Sequence, residues 1–171
     1  MESLHQEVQI PVIDISSLWK MEENNESQQT IISIAEACRD YGFLYVKNHG
    51  VAGGIQDSVF KVLKDFFALP RDVKEQIKSK GTGNFRGYFG FQTETTAYLE
   101  NDRPDWREGF YAAVDIPEEH PCKKTFPSVT GNNKWPKDPK EFRETVEIYY
   151  QTLKELAYKI MGVLAVGLGK L

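Results

Sequence analysis

The sequence predicts an α+β fold in which short apolar strands and amphipathic helices follow one another without a regular alternation. Three observations carry this prediction. Apolar residues recur at helical spacing in three stretches, Ile31 to Tyr41, Ile55 to Phe66 and Phe142 to Leu164. Short strand-like runs bounded by Gly, Pro or Asn stand at Ile10 to Ile15, at Phe43 to Val46 and at Trp106 to Val114. No internal repeat or low-complexity tract interrupts the series, and 171 residues leave room for one domain with a substantial core.

Taken in order, Ile10 to Ile15 reads as a strand, which Pro11 confines to a sheet edge or a strand start. The polar stretch Glu22 to Gln29 is a loop running into a helix. Ile31, Ile34, Ala35, Cys38 and Tyr41 mark the buried face of that helix, and Gly42 supplies the stop. Phe43 to Val46 is too short for a helix and reads as a buried strand ending in the turn Asn48-His49-Gly50. A second helix follows Gly53-Gly54 with Ile55, Val59, Leu63 and Phe66 on one stripe. It stops at Leu69, because a residue before proline is pushed out of helical geometry. Pro70 opens a short helix anchored by Val73 and Ile77.

Lys80 to Asn84 reads as a connector, followed by the aromatic segment Phe85 to Phe91 and the strand candidate Trp106 to Val114. Glu118 to Pro139, interrupted by prolines and a Gly-Asn-Asn turn, reads as loop. A long helix then begins near Pro139 with the stripe Phe142, Val146, Tyr149, Leu153, Leu156, Ile160 and Leu164. It would reach on the order of 40 Å. The strands visible here are too few to form the surface that such a helix needs.

The balance of 21 basic against 25 acidic residues, with a pI near 5.5, gives no electrostatic footprint for nucleic acid. Cys38 and Cys122 form neither a disulfide framework nor a zinc spacing. Cys38 reads as a small core residue; Cys122, in a proline-flanked loop, carries no pattern supporting a reactive thiol. No signal-like or membrane-spanning run is present, so the expectation is a reduced, cytoplasmic protein without membrane partners.

Five strings in order carry a family resemblance: Ile10 to Ser16 (IPVIDIS), Asp40 to Gly50 (DYGFLYVKNHG), Phe66 to Ile77 (FFALPRDVKEQI), Arg86 to Phe91 (RGYFGF) and Asp105 to Pro117 (DWREGFYAAVDIP). Together they resemble the N-terminal region of the iron(II)/2-oxoglutarate dioxygenases, the isopenicillin N synthase-like group. The resemblance implies a double-stranded β-helix (jelly-roll) enzyme whose N-terminal helices pack against the barrel, most of which this sequence lacks. It implies residues 1–9 as a disordered N-terminus, 10–117 as the non-haem dioxygenase N-terminal domain, 118–138 as a loop, and 139–171 as the helix leading to the catalytic barrel.

In this family iron is held by a His-x-Asp pair and a later His, leaving open positions for cosubstrate and dioxygen. An Arg-x-Ser pair grips the far carboxylate of 2-oxoglutarate through the planar guanidinium fork. Neither His-x-Asp nor Arg-x-Ser occurs in the 171 residues. The expectation is therefore the first half of such an enzyme, with no catalytic or metal-binding residue of its own. Iron(II) and 2-oxoglutarate would belong to the complete family enzyme, and neither would bind this chain alone. The string at Asp105 to Tyr111, with Glu94, resembles the cosubstrate-using majority.

Only His5, His49 and His120 are available. His49 reads as a structural residue hydrogen-bonding to backbone in its turn, and Glu119, His120 and Cys122 as a cluster for adventitious metal at most. Asp105 and Glu108 read as a solvated strand end, and Trp106 and Phe110 as core. Neither Gly53-Gly54 nor Gly81-x-Gly83 has the setting of a phosphate-cradling loop.

Arg86 and Tyr88 are the substrate-binding candidates, because the resemblance places their segment near the pocket mouth and arginine among aromatics suits a planar or anionic substrate. For Tyr88, Phe89 and Phe91 plain packing is the leading reading. Arg86 is balanced between substrate and a carboxylate such as Glu94 or Glu108. The expected partner of the complete enzyme is a small organic molecule, subject to hydroxylation, desaturation or ring closure. The competing expectation is a non-catalytic interaction module or remnant that self-associates, or pairs with a separate barrel half, through exposed apolar helix surface.

Overall fold

The computed structural model describes residues 9–20, 24–79, 84–92 and 105–169. His5, Gly81-x-Gly83 and Glu94 lie outside the described residues. The chain divides into two compact units, Met1–Gly54 with Gln151–Leu171, and Ile55–Tyr150. The described strands form two separate two-stranded sheets, an α+β arrangement with no closed barrel among the described residues.

In the first unit, β1 (Val12–Asp14) pairs in parallel with β2 (Tyr45–Lys47), Ile13 opposite Val46. Helix α1 (Asn25–Asp40) makes the crossover between them. It begins where Asn24 Oδ1 accepts the Ser27 N–H at 2.9 Å while Ser27 Oγ accepts the Asn24 N–H at 3.1 Å, a reciprocal cap of two donors left over at every helix start. The helix therefore starts inside the polar stretch expected to be loop. Gly42, at φ 72°, ends it in the left-handed region that glycine occupies freely.

Ile15, Ile34 and Val163 form the core of this unit, with Leu44, Val46 and Leu164 packed on it. Val163 belongs to α5 (Phe142–Gly167), whose residues from Gln151 onward fall in this unit. Thr30 turns its hydroxyl to Ser17 at 2.9 Å, so both buried hydroxyls are satisfied. Two expectations need correction. The first strand spans three residues rather than six. The second is not buried on both faces: Leu44 and Val46 point to the core, while Phe43 and Tyr45 are 71% and 61% exposed. A strand's side chains alternate, so a continuous apolar run still has an outward half.

The second unit is built on α2 (Gly53–Phe67), which presents Val59, Val62 and Phe66 inward. After it come α3 (Arg71–Glu75), β3 (Gly87–Phe89) and β4 (Gly109–Tyr111). The strands pair antiparallel, Tyr88 opposite Phe110. The backbone of Tyr88 also accepts from Ser79 N–H at 2.8 Å and donates to the Ile77 carbonyl at 3.0 Å, which ties the end of α3 to the ribbon.

The core of this unit is aromatic. Phe66 lies 5.0 Å from Phe142 and 5.7 Å from Phe110, and Phe110 meets Phe142 edge-on at 4.9 Å. Edge-to-face contacts of this kind add roughly 0.5–1.5 kcal/mol each beyond area burial. The region expected to be loop contains α4 (Pro121–Thr125), capped by His120 and started by Pro121. The strand expected over Trp106 to Val114 contracts to three residues, and Trp106 is 80% exposed instead of core. Helix α5, at 26 residues, starts three positions later than expected. No helix among the described residues is long and apolar enough to cross a membrane.

Candidate functional site

The polar centre of the second unit is Glu108. Its Oε2 accepts hydrogen bonds from the Lys74 ammonium and from the Tyr88 hydroxyl, each at 2.7 Å. Lys74 also donates to the Phe67 carbonyl at 2.9 Å and lies 5.5 Å from the centre of the Tyr88 ring. The group links the end of α2, α3, β3 and β4. Lys74 is 6% exposed and Tyr88 1%, so the network is shielded from water. Burial, reinforced by the hydrogen bond to the Glu108 carboxylate, pushes the Tyr88 hydroxyl up to about 12.

Arg86 and Tyr88 thus sit two residues apart in different environments. Tyr88 is a core residue whose hydroxyl is engaged by Glu108. Arg86 is partly buried: its Nη2 donates to the Val129 carbonyl at 2.6 Å, and its backbone N–H donates to Asn84 Oδ1 at 2.8 Å. Its Nε is buried and meets no acceptor among the described residues. Glu108, one of the carboxylates expected to pair with Arg86, is taken by Lys74. Nor is Glu108 part of a solvated strand end. The ribbon's other face carries Phe89 and Tyr111, whose rings meet edge-on at 4.5 Å.

Lys74 is the residue sequence reasoning missed. Its place between Val73 and Glu75 in a charged helix gave no sign of burial. The one available signal was geometric: Lys74 follows Pro70 by four residues, and the short helix turns that position inward.

The two described histidines, His49 and His120, serve backbone turns. His49 Nδ1 accepts the Val51 N–H and His120 Nδ1 accepts the Cys122 N–H, both at 3.2 Å. His120 is thereby an N-cap, which explains its place before Pro121-Cys122 better than metal does. No group of three or more His, Cys, Asp or Glu side chains is placed to hold a metal ion among the described residues. The donor set of the described residues does not fit the family's iron.

Comparison with known proteins decides the family. Residues 10–138 match the model of the non-haem dioxygenase N-terminal region, described from morphine synthesis. The chain belongs to this family. Clavatol oxidase of Penicillium crustosum is 33% identical over 166 residues, covering 91% of this chain and 49% of that protein. Homoarginine-6-hydroxylase of rice is 34% identical over 166 residues, covering 94% and 49%.

Among solved structures, a 2OG-Fe(II) oxygenase family protein from Caulobacter crescentus superposes with a TM-score of 0.76 at 24% identity, over 94% of this chain and 48% of that one. A full-length Neurospora crassa protein in complex with alpha-KG gives 0.73 at 26% identity, over 94% and 47%. The chain therefore has the fold of the N-terminal part of such oxygenases, and it spans about half the length of the curated relatives it matches.

Proposed function

We propose that this chain supplies the N-terminal part of an iron(II)/2-oxoglutarate-dependent oxidoreductase acting on a small organic substrate by hydroxylation, desaturation or ring closure. The observation that carries the reading is the family match over residues 10–138, joined to relatives named as 2-oxoglutarate-dependent dioxygenases. Residues 10–117 act as the supporting domain, and 139–171 as the helix leading to the catalytic half. When bound to its own ligands, the iron would supply the oxidative chemistry. Those ligands are not among residues 1–171, because the chain carries neither His-x-Asp nor Arg-x-Ser.

The role of this chain is to shape and support the pocket. Arg86 is the substrate-side residue, held against the Val129 carbonyl, its buried Nε meeting no acceptor among the described residues. Tyr88, two residues on, is a core residue held by Glu108. The partner is a small molecule and, for the polypeptide itself, a barrel half that covers apolar surface. Exposed Tyr158 and Met161 on α5, with Leu168 just past its end, support such pairing. The setting we propose is cytoplasmic.

The test is turnover. The purified chain, supplied with iron(II), ascorbate and 2-oxoglutarate, is expected to release no succinate. Succinate formation by the chain alone would overturn the proposal.

A further inference from the structure

We propose that β1 and β2 are two strands of a wider sheet, and that the free edge of β2 pairs with an extended strand from the catalytic half of the complete enzyme. The inference rests on the reading above and adds to it the place and the kind of contact between the halves.

The hydrogen-bond register defines the edge. The Tyr45 N–H donates to the Pro11 carbonyl at 2.8 Å, and the Lys47 carbonyl accepts from the Ile15 N–H at 3.1 Å. Tyr45 and Lys47 thus turn their backbone groups toward β1. Alternate residues of a strand direct these groups to opposite sides. Leu44 and Val46 therefore point theirs away from β1, where they meet no partner among the described residues. The faces are just as unequal. Ile13, Leu44 and Val46 pack on the core around Ile34 and Val163, whereas Val12, Phe43 and Tyr45 are each more than half exposed. Parallel strands occur almost only in sheets covered on both faces, and two strands alone are marginal in water.

The two edges differ. Beside β1 runs a polar groove, lined by Asp14 together with Glu26, Gln29 and Ser33 of α1. Charged and polar side chains beside a strand are what keeps an edge from pairing. Phe43 to Val46 carries neither charge nor proline. The sheet is guarded on the β1 side and open on the β2 side.

The occupant follows from the unmet groups. A helix satisfies its own backbone internally, so it would cover Phe43 and Tyr45 and leave Leu44 and Val46 unpaired. An extended segment offers a donor and an acceptor at every second residue, with side chains between them to lie over the exposed rings. Its source is the half of the relatives' length that this chain does not span.

Amide hydrogen exchange tests this, read by NMR on the isotope-labelled full-length product of the native transcript. The Leu44 and Val46 amides should exchange at least about a hundredfold more slowly than the Val12 amide on the guarded edge. They should also show backbone nuclear Overhauser contacts to an extended segment beyond Leu171. Exchange at Leu44 and Val46 as fast as at Val12 would overturn the proposal. So would slow exchange with contacts to helical residues only, or protection that grows with protein concentration and marks a second copy. These outcomes leave the dioxygenase reading standing, whereas a transcript that stops at Leu171 removes both.

Discussion

Lys74 and Glu108, 34 positions apart in the chain, form an ion pair at 2.7 Å with both side chains largely withdrawn from water. The pair joins the short helix α3 to the residue just before strand β4, and the Tyr88 hydroxyl shares the same carboxylate oxygen. A buried ion pair is weak support for net stability, yet removing one partner leaves the other charge uncompensated. Lys74→Met should therefore cost about 3 kcal/mol, and pairing it with Glu108→Leu should recover much of the loss. Urea denaturation of the two single variants and the double variant measures this.

Tyr88 gives the chain an alkaline signature. Its hydroxyl is raised from 10.0 to about 12, so the folded state favours the neutral form. The sign follows from linkage: this stabilisation is fully present below pH 10 and is lost as pH rises through about 12. Denaturation midpoints across that range should fall with pH, and Tyr88→Phe should flatten the fall while costing about 1 kcal/mol at neutral pH.

At the acid end, the backbone N–H of Ser16 holds the Asp14 carboxyl below its usual 3.8, with the Ser16 hydroxyl and Asn48 side-chain amide assisting. A lowered carboxyl stabilises the fold above its unfolded value, and the effect is lost as pH falls below it. Asp14→Asn should reduce the acid dependence of stability between about pH 4 and 2. Acid titrations followed by far-ultraviolet circular dichroism would show it.

Gly87 tests the close approach between α3 and the ribbon. Its φ is 102°, and an added Cβ would run into the Ile77 carbonyl oxygen. Gly87→Ala should lose at least about 2 kcal/mol from backbone strain, with the overlap adding to it. Gly53→Ala, where nothing lies within 4 Å, is the control and should be neutral or mildly stabilising in thermal melts.

The helices were legible because their apolar residues obey a 3.6-residue period: Ile34 in α1, Val59 and Phe66 in α2, and Phe142 in α5 all point inward as the spacing predicts. The strands were legible only as positions. Three-residue strands carry too few alternations to set their ends or their faces, so Phe43 and Trp106 were misplaced. Lys74 and Glu108 were illegible because their burial depends on each other, and neither residue alone departs from a surface composition. His120 capping α4 was hidden by the prolines around it, since the same prolines mark both loops and helix starts. The family could be read because its motifs are turns and strand ends in fixed order. Arg86 could be nominated from its motif, but not its hydrogen bond to the Val129 carbonyl, brought in from 43 positions away, nor the burial of its Nε, which meets no acceptor among the described residues.

The central proposal is that the groups binding iron and 2-oxoglutarate lie outside the stretch that ends at Leu171. Sequencing the native transcript past that codon tests it most directly. The expected result is an in-frame continuation carrying His-x-Asp, a distant His and Arg-x-Ser. A stop codon at that point, or a continuation without His-x-Asp, would contradict it.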